Sequence, residues 1–167
     1  MEKKVLSEQA LYFGDVSMPK GFEIDRNELR ANILESSVDN TDFKFSRSWD
    51  KLNTYIQENM NLKYNLKLRQ KLSWGNFYKA STSTPPLLEV DLMNLNNSAD
   101  FVLLYGVKVK DCLVKIFYED NRRKAESWDI ELINNMFIMF PSTNRYYIAN
   151  NSNDSLNFVQ TITYESL

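Results

Sequence analysis

The stretch Asn134–Asn151 reads NNMFIMFPSTNRYYIANN. Five consecutive apolar residues, Met136–Phe140, run into Pro141-Ser142, and a second apolar run begins after Arg145. A strand with no polar residue on either side of its alternation is expected to be covered on both faces. Pro141 has no N–H to give to a ladder, so it ends the strand. Ser142, Thr143 and Asn144 supply the turn. The proline in the middle of the most hydrophobic region is punctuation at a corner between two strands.

Working outward, the same rhythm recurs. LKYNLKLRQ from Leu62 and LSWGNFYKA from Leu72 alternate apolar and polar residues, the pattern of a strand wet on one face. After a polar turn and Pro85-Pro86 come DFVLLYGVKV, CLVKIFYE, SWDIEL, NMFIMF, RYYIAN and LNFVQTITY, with short connections between them. Short strands at regular spacing predict an all-β sandwich or barrel. Upstream, Met1–Gly21 holds one strand plus connections. Asp25 stands three residues before Glu28, a capping-box spacing, and Leu29, Ile33 and Leu34 follow at helical intervals. The spacing predicts a helix over Arg26–Ser36. A second helix is expected over Ser46–Met60, with Trp49, Leu52, Ile56 and Met60 on one face and Ser46 or Ser48 as cap.

The 167 residues suit a single domain, and 43% hydrophobic content supplies one core. The chain contains no histidine, which removes Ser-His-Asp, Cys-His and imidazole-based metal sites. Only four glycines are present and none are clustered, so no Gly-rich phosphate loop exists. A net charge of −2 argues against a nucleic-acid partner. Cys112 is the only cysteine, and the run DCLVKIF places it at a buried strand position. No apolar run has membrane-spanning length, and the N-terminus lacks the apolar centre of a signal peptide. A soluble, non-secreted protein is expected.

The run NNMFIMFPSTNRYYIANNSNDSLNFVQTITY resembles the C-terminal half of 2-oxoglutarate/Fe(II) oxygenase-like proteins of marine tailed phages, and DFVLLYGVKVKDCLVKIFYEDNRR resembles their central strand pair. The resemblance covers about Leu72–Tyr164. It implies a mainly β fold, a double-stranded β-helix (cupin-like jelly roll), with about two N-terminal helices packed outside. Residues 1–61 would then be the N-terminal strand and helices of the one domain, and 62–167 its jelly-roll core. The family holds iron with two histidines and a carboxylate. By resemblance the distal histidine falls near Tyr146. The first histidine and its carboxylate fall around Glu89–Asn97, and the arginine that grips the co-substrate falls near Asn157. None of the histidines and no such arginine is present at these positions. No cofactor is therefore expected, and the losses lean against an enzyme.

Other residues suggest chemistry of their own. Glu89 and Asp91, two apart on an expected strand, are weak candidates for a divalent cation, with Asp100 or Asp111 as a third oxygen donor. Tyr105, Arg145, Tyr146 and Gln160 form a candidate small-molecule pocket, in which Arg145 anchors an anion and aromatic walls face a sugar. Tyr118, Tyr147 and Tyr164 add to that aromatic set. Asp120–Lys124 is the densest basic cluster and reads as a polar hairpin loop, while the Asn-x-Ser triplets at Asn96 and Asn153 carry no weight without secretion. The expectation from all this is a non-catalytic, cupin-like phage structural or accessory protein. It would act through protein contacts or self-association, in the host cytoplasm or the virion. A sugar- or anion-binding module, or a divalent-metal site in the emptied barrel, is the alternative.

Overall fold

A computed structural model describes residues 2–4, 8–39, 46–118 and 126–167. The basic cluster Asp120–Lys124 lies outside the described residues. The chain forms β1 (Tyr12–Asp15), then helices α1 (Arg26–Asp39) and α2 (Arg47–Tyr64). The long strand β2 (Leu68–Tyr78) and the two-residue β3 (Thr82–Ser83) follow, and a single 3-10 turn, Leu95–Asn97, precedes β4 (Phe101–Lys108). The remaining strands are β5 (Cys112–Phe117), β6 (Ser127–Leu132), β7 (Met136–Pro141), β8 (Tyr146–Asn150) and β9 (Asn157–Ser166).

Each helix starts where the sequence provides an acceptor. Asp25 Oδ1 accepts the amides of Asn27 and Glu28 at 3.0 and 3.1 Å. The Glu28 carboxylate does not close the box on Asp25 itself. Ser48 of α2 stands between them, its Oγ accepting from Asp25 N at 3.1 Å and donating to Glu28. One hydroxyl thus caps α1 and ties it to α2. Ser46 caps α2 through Trp49 N, and the stripe Trp49, Leu52, Ile56 and Met60 is buried as its 3.6-residue period requires. Burying a side chain such as Leu52 or Ile56 contributes about 1.5–3 kcal/mol.

The expected strand from Leu62 is corrected at its start. Helix α2 continues to Tyr64 and stops because Asn65 turns left-handed (φ 52°), its amide donating to Asn61 O and that of Leu66 to Met60 O. Leu62 is 82% exposed, so its place in the alternation buried nothing.

The strands make two antiparallel sheets, consistent with a jelly roll. Five strands run in the order β1-β7-β4-β9-β2 and four in the order β3-β8-β5-β6. Residues Met136–Phe140 are buried on both faces, and the corner follows the sequence reading. Ser142 N donates to Asp100 O at 2.9 Å and Asn144 N returns to Pro141 O at 3.0 Å. On one side of the five-stranded sheet, Leu103, Tyr105, Phe158, Ile162 and Tyr164 pack against Leu29, Ile33 and the α2 stripe. On its other side, Val102, Leu104, Ile138, Phe140 and Val159 meet Cys112, Val114, Ile116, Tyr146 and Ile148 from the four-stranded sheet. Among the described residues, no helix is long and apolar enough to cross a membrane.

Helix α1 comes so near the sheet that one strand position has room for no side chain. A Cβ added to Gly75 would lie 2.2 Å from Ile33 Cγ1, whereas one at Gly14 would meet only Phe137, at 3.9 Å. Gly75→Ala is expected to destabilise the fold by about 1–3 kcal/mol through overpacking, with Gly14→Ala close to neutral. Urea unfolding of the two variants separates these outcomes.

Candidate active site

The open side of the sandwich lies where the short β3 leaves β2 uncovered. On β2, Leu72 and Trp74 stand opposite Thr163 and Thr161 of β9. Beyond β3 the chain touches β8 through one isolated bridge, Leu87 to Tyr146, with Leu87 N to Tyr146 O at 2.7 Å. No strand continues through Glu89 and Asp91, so their common-face alternation does not arise. Both line a cleft of about 210 Å³ with Lys71, Trp74, Asn94, Asn97 and Thr163. The loop over this cleft is tied down: Asp91 N donates to Ser98 Oγ at 2.9 Å, Asp91 Oδ1 accepts from Met93 N at 2.9 Å, and Lys71 Nζ donates to Asn97 O.

Tyr146, the first residue of β8, extends between the sheets and is 1% exposed. Its ring packs edge-on to Phe140 at 5.0 Å, and its hydroxyl donates to Glu89 Oε1 at 2.6 Å. Burial, reinforced by the Glu89 charge, holds this phenol far above the ordinary tyrosine range, so it stays a donor. Burial likewise pushes Tyr78 up to about 12, with a smaller contribution from Glu89. Glu89 thus stands half-buried between the cleft and Tyr146, and no hydrogen bond to its Oε2 is present among the described residues.

The four residues of the candidate pocket are not brought together. Tyr105 and Gln160 are cross-strand neighbours on the helix-facing side of the five-stranded sheet. There Tyr105 donates to Asn135 Oδ1 at 2.7 Å, while Gln160 Nε2 donates to Ser73 Oγ and Trp74 O at 2.8 and 2.9 Å. Tyr146 lies on the opposite side of that sheet, and Arg145 is exposed at the corner before β8. Tyr147 packs against Phe117, with ring centroids 5.8 Å apart, and Tyr164 donates to Asn53 Oδ1 under the helices. The Tyr146–Glu89 pair, 57 residues apart in the chain, had no local signal in the sequence.

No protein-family model matches the chain, and no curated protein does. Solved structures do. The fold is 2-oxoglutarate oxygenase-like. A Pseudomonas putida prolyl-4-hydroxylase superposes with a TM-score of 0.65 at 10% identity, covering 94% of this chain and 88% of that one. A Trichoplax adhaerens prolyl hydroxylase, solved with a hypoxia inducible factor peptide, gives 0.62 at 9% identity over 93% and 83%. The epimerase SnoN, in complex with Fe3+, alpha ketoglutarate and nogalamycin RO, gives 0.65 at 10% identity over 94% and 79%. The expectation of a non-catalytic structural or accessory protein, with an emptied binding barrel as its alternative, is corrected by these neighbours. Those neighbours are hydroxylases and an epimerase, and what this chain shares with them is the fold.

The iron and dicarboxylate held in that SnoN complex test poorly against this chain. There is no imidazole to offer. Tyr146, at the resembling position of the distal ligand, is a buried, protonated phenol committed to Glu89. Asn157, at the resembling position of the co-substrate arginine, is 0% exposed. Its amide is clamped to one backbone unit, Lys110 N donating to Oδ1 at 2.8 Å and Nδ2 donating to Lys110 O at 3.0 Å. Among the described residues, no group of three carboxylate or thiol side chains converges to hold a metal ion. The residues present do not fit the group.

Tyr146→Phe removes the donor to a half-buried carboxylate and is expected to cost about 1–3 kcal/mol, read as a lowered unfolding midpoint in urea. A pH effect is expected from the buried acids. Burial moves the Cys112 thiol from 9.0 to about 12 and the Tyr78 phenol from 10.0 to about 12. Both stay protonated in the folded state after they ionise in the unfolded chain. The unfolded state then binds fewer protons, so stability falls as pH rises. The stability is fully present below about pH 9 and is lost toward pH 12; denaturant unfolding across that range checks it.

Proposed function

We propose that the protein is an enzyme of double-stranded β-helix architecture that moves a proton on a small substrate bound in the cleft beside Glu89. Glu89 is the proton acceptor, and Tyr146 fixes its orientation. The observation that carries this reading is the 2.6 Å hydrogen bond between them, made by a carboxylate that also lines a 210 Å³ cleft. A base must face both the substrate and the group that orients it, and Glu89 does. The reaction class is isomerisation: the carboxylate takes a proton from a carbon beside a carbonyl and returns it, on the same face of the enediol so formed, to the neighbouring carbon while the hydroxyl proton passes to the former carbonyl oxygen, with no oxidant needed.

The cleft favours certain substrates. Two carboxylates, Glu89 and Asp91, face one cation, Lys71, so the charge disfavours a dicarboxylate and suits a neutral or cationic molecule. Trp74 offers an apolar wall, and Asn94, Asn97 and Thr163 offer hydrogen bonds to hydroxyls. A phage source, a host-cytoplasmic location and self-association through a sheet edge are supported by the sequence resemblance alone.

The test is solvent exchange. The protein is incubated in deuterated water with a panel of small neutral and cationic hydroxy- and oxo-compounds, and deuterium uptake is read by mass spectrometry. Uptake with at least one class of compound is expected, falling roughly 10²–10⁴-fold in Glu89→Gln. Uptake that persists unchanged in Glu89→Gln, or none across the panel, would sink the reading.

A further inference from the structure

Two hydrogen-bonded clasps, 11 residues apart in the chain from Tyr146 to Asn157, lie at the starts of β8 and β9, where the oxygenase resemblance places the distal ligand and the co-substrate anchor. One is Tyr146 to Glu89 across the gap between β8 and the loop after β3. The other is Asn157, at the start of β9, holding both the N–H and the C=O of Lys110 in the turn after β4. We infer that these clasps have replaced the metal centre and the co-substrate anchor of the fold, so that this chain binds neither divalent metal nor 2-oxoglutarate at that place.

Three independent features support this. The first is donor chemistry: iron sites of this class take imidazole and carboxylate, and a protonated phenol supplies neither a charge nor a good lone pair. Entry of a metal would have to break a short, charge-assisted hydrogen bond inside the sandwich. The second is geometry at β9. A neutral amide held on both sides by the Lys110 backbone offers no positive charge for the two-pronged grip of a carboxylate, and its complete burial leaves no approach. The third is charge: the cleft next to the clasp carries two carboxylates against one lysine, which repels a dianion.

The experiment reads metal and co-substrate binding directly, so its result is separate from whether turnover is ever found. The purified full chain is desalted after exposure to Mn²⁺, analysed for bound metal, and melted with and without Mn²⁺ plus 2-oxoglutarate. No retained metal and an unchanged midpoint are expected. The constructive arm combines Glu89→His with Tyr146→His, which sets two imidazoles at the place of the present clasp. This variant, checked for folding by circular dichroism, is expected to gain at least tenfold in Ni²⁺ affinity by calorimetry, with Tyr146→Phe gaining nothing. A raised midpoint in the unmodified chain that disappears in Glu89→Gln would overturn the inference. So would a folded double variant with no gain in Ni²⁺ affinity, because Glu89 and Tyr146 would then not stand at the metal position.

Discussion

The molecule depends on the register of β9. This strand pairs with β2 on one edge and β4 on the other, and its residues are buried on both faces from Asn157 to Tyr164. One face carries Phe158, Ile162 and Tyr164 toward the helices, and the other carries Val159 toward the second sheet. Because side chains alternate with a period of two, a slip of one residue would exchange these sets completely. Asn157, Thr161 and Thr163 would face the helices, and Tyr164 would be forced between the sheets. The side-chain hydrogen bonds of Asn157 and Tyr164 reach opposite layers and pin the same register from both ends.

The cleft follows from that arrangement. An edge strand as long as β2 needs a long partner across the sandwich, and β3 is only two residues long. The gap is bridged by loop, where polar side chains are at liberty to serve a ligand. Glu89 lies half-buried where this loop meets the sheets. A carboxylate in full contact with water would have no defined orientation, and one fully buried would lose its charge. The Tyr146 phenol gives it a fixed partner.

Much of this was legible in the residues, and the failures have physical causes. Strand existence and order from Phe101 onward follow from alternation and turn residues, and the α2 stripe follows from its period. The alternation in Leu62–Gln70 misled because Leu62 and Tyr64 are exposed helix residues, and the left-handed stop at Asn65 leaves little trace in composition. Tyr105 and Gln160 sit in a sheet covered on both faces, so apolar pattern alone does not tell which side faces the other sheet. The Tyr146–Glu89 contact was invisible for a different reason. It joins a strand to a loop 57 residues away, and only the tertiary fold supplies that pairing.

The close seating of Ile33 on Gly75 has an evolutionary reading. Trp74, the next residue, forms a wall of the cleft on the opposite face of the same strand. The depth at which α1 rests on β2 therefore also sets how far that wall stands forward. Residues 33 and 75 belong to one unit of variation: a lineage that enlarges one must shrink the other in the same step or soon after. Relatives carrying a side chain at position 75 should have a trimmed residue at 33, and their clefts should differ in width though no cleft residue has changed.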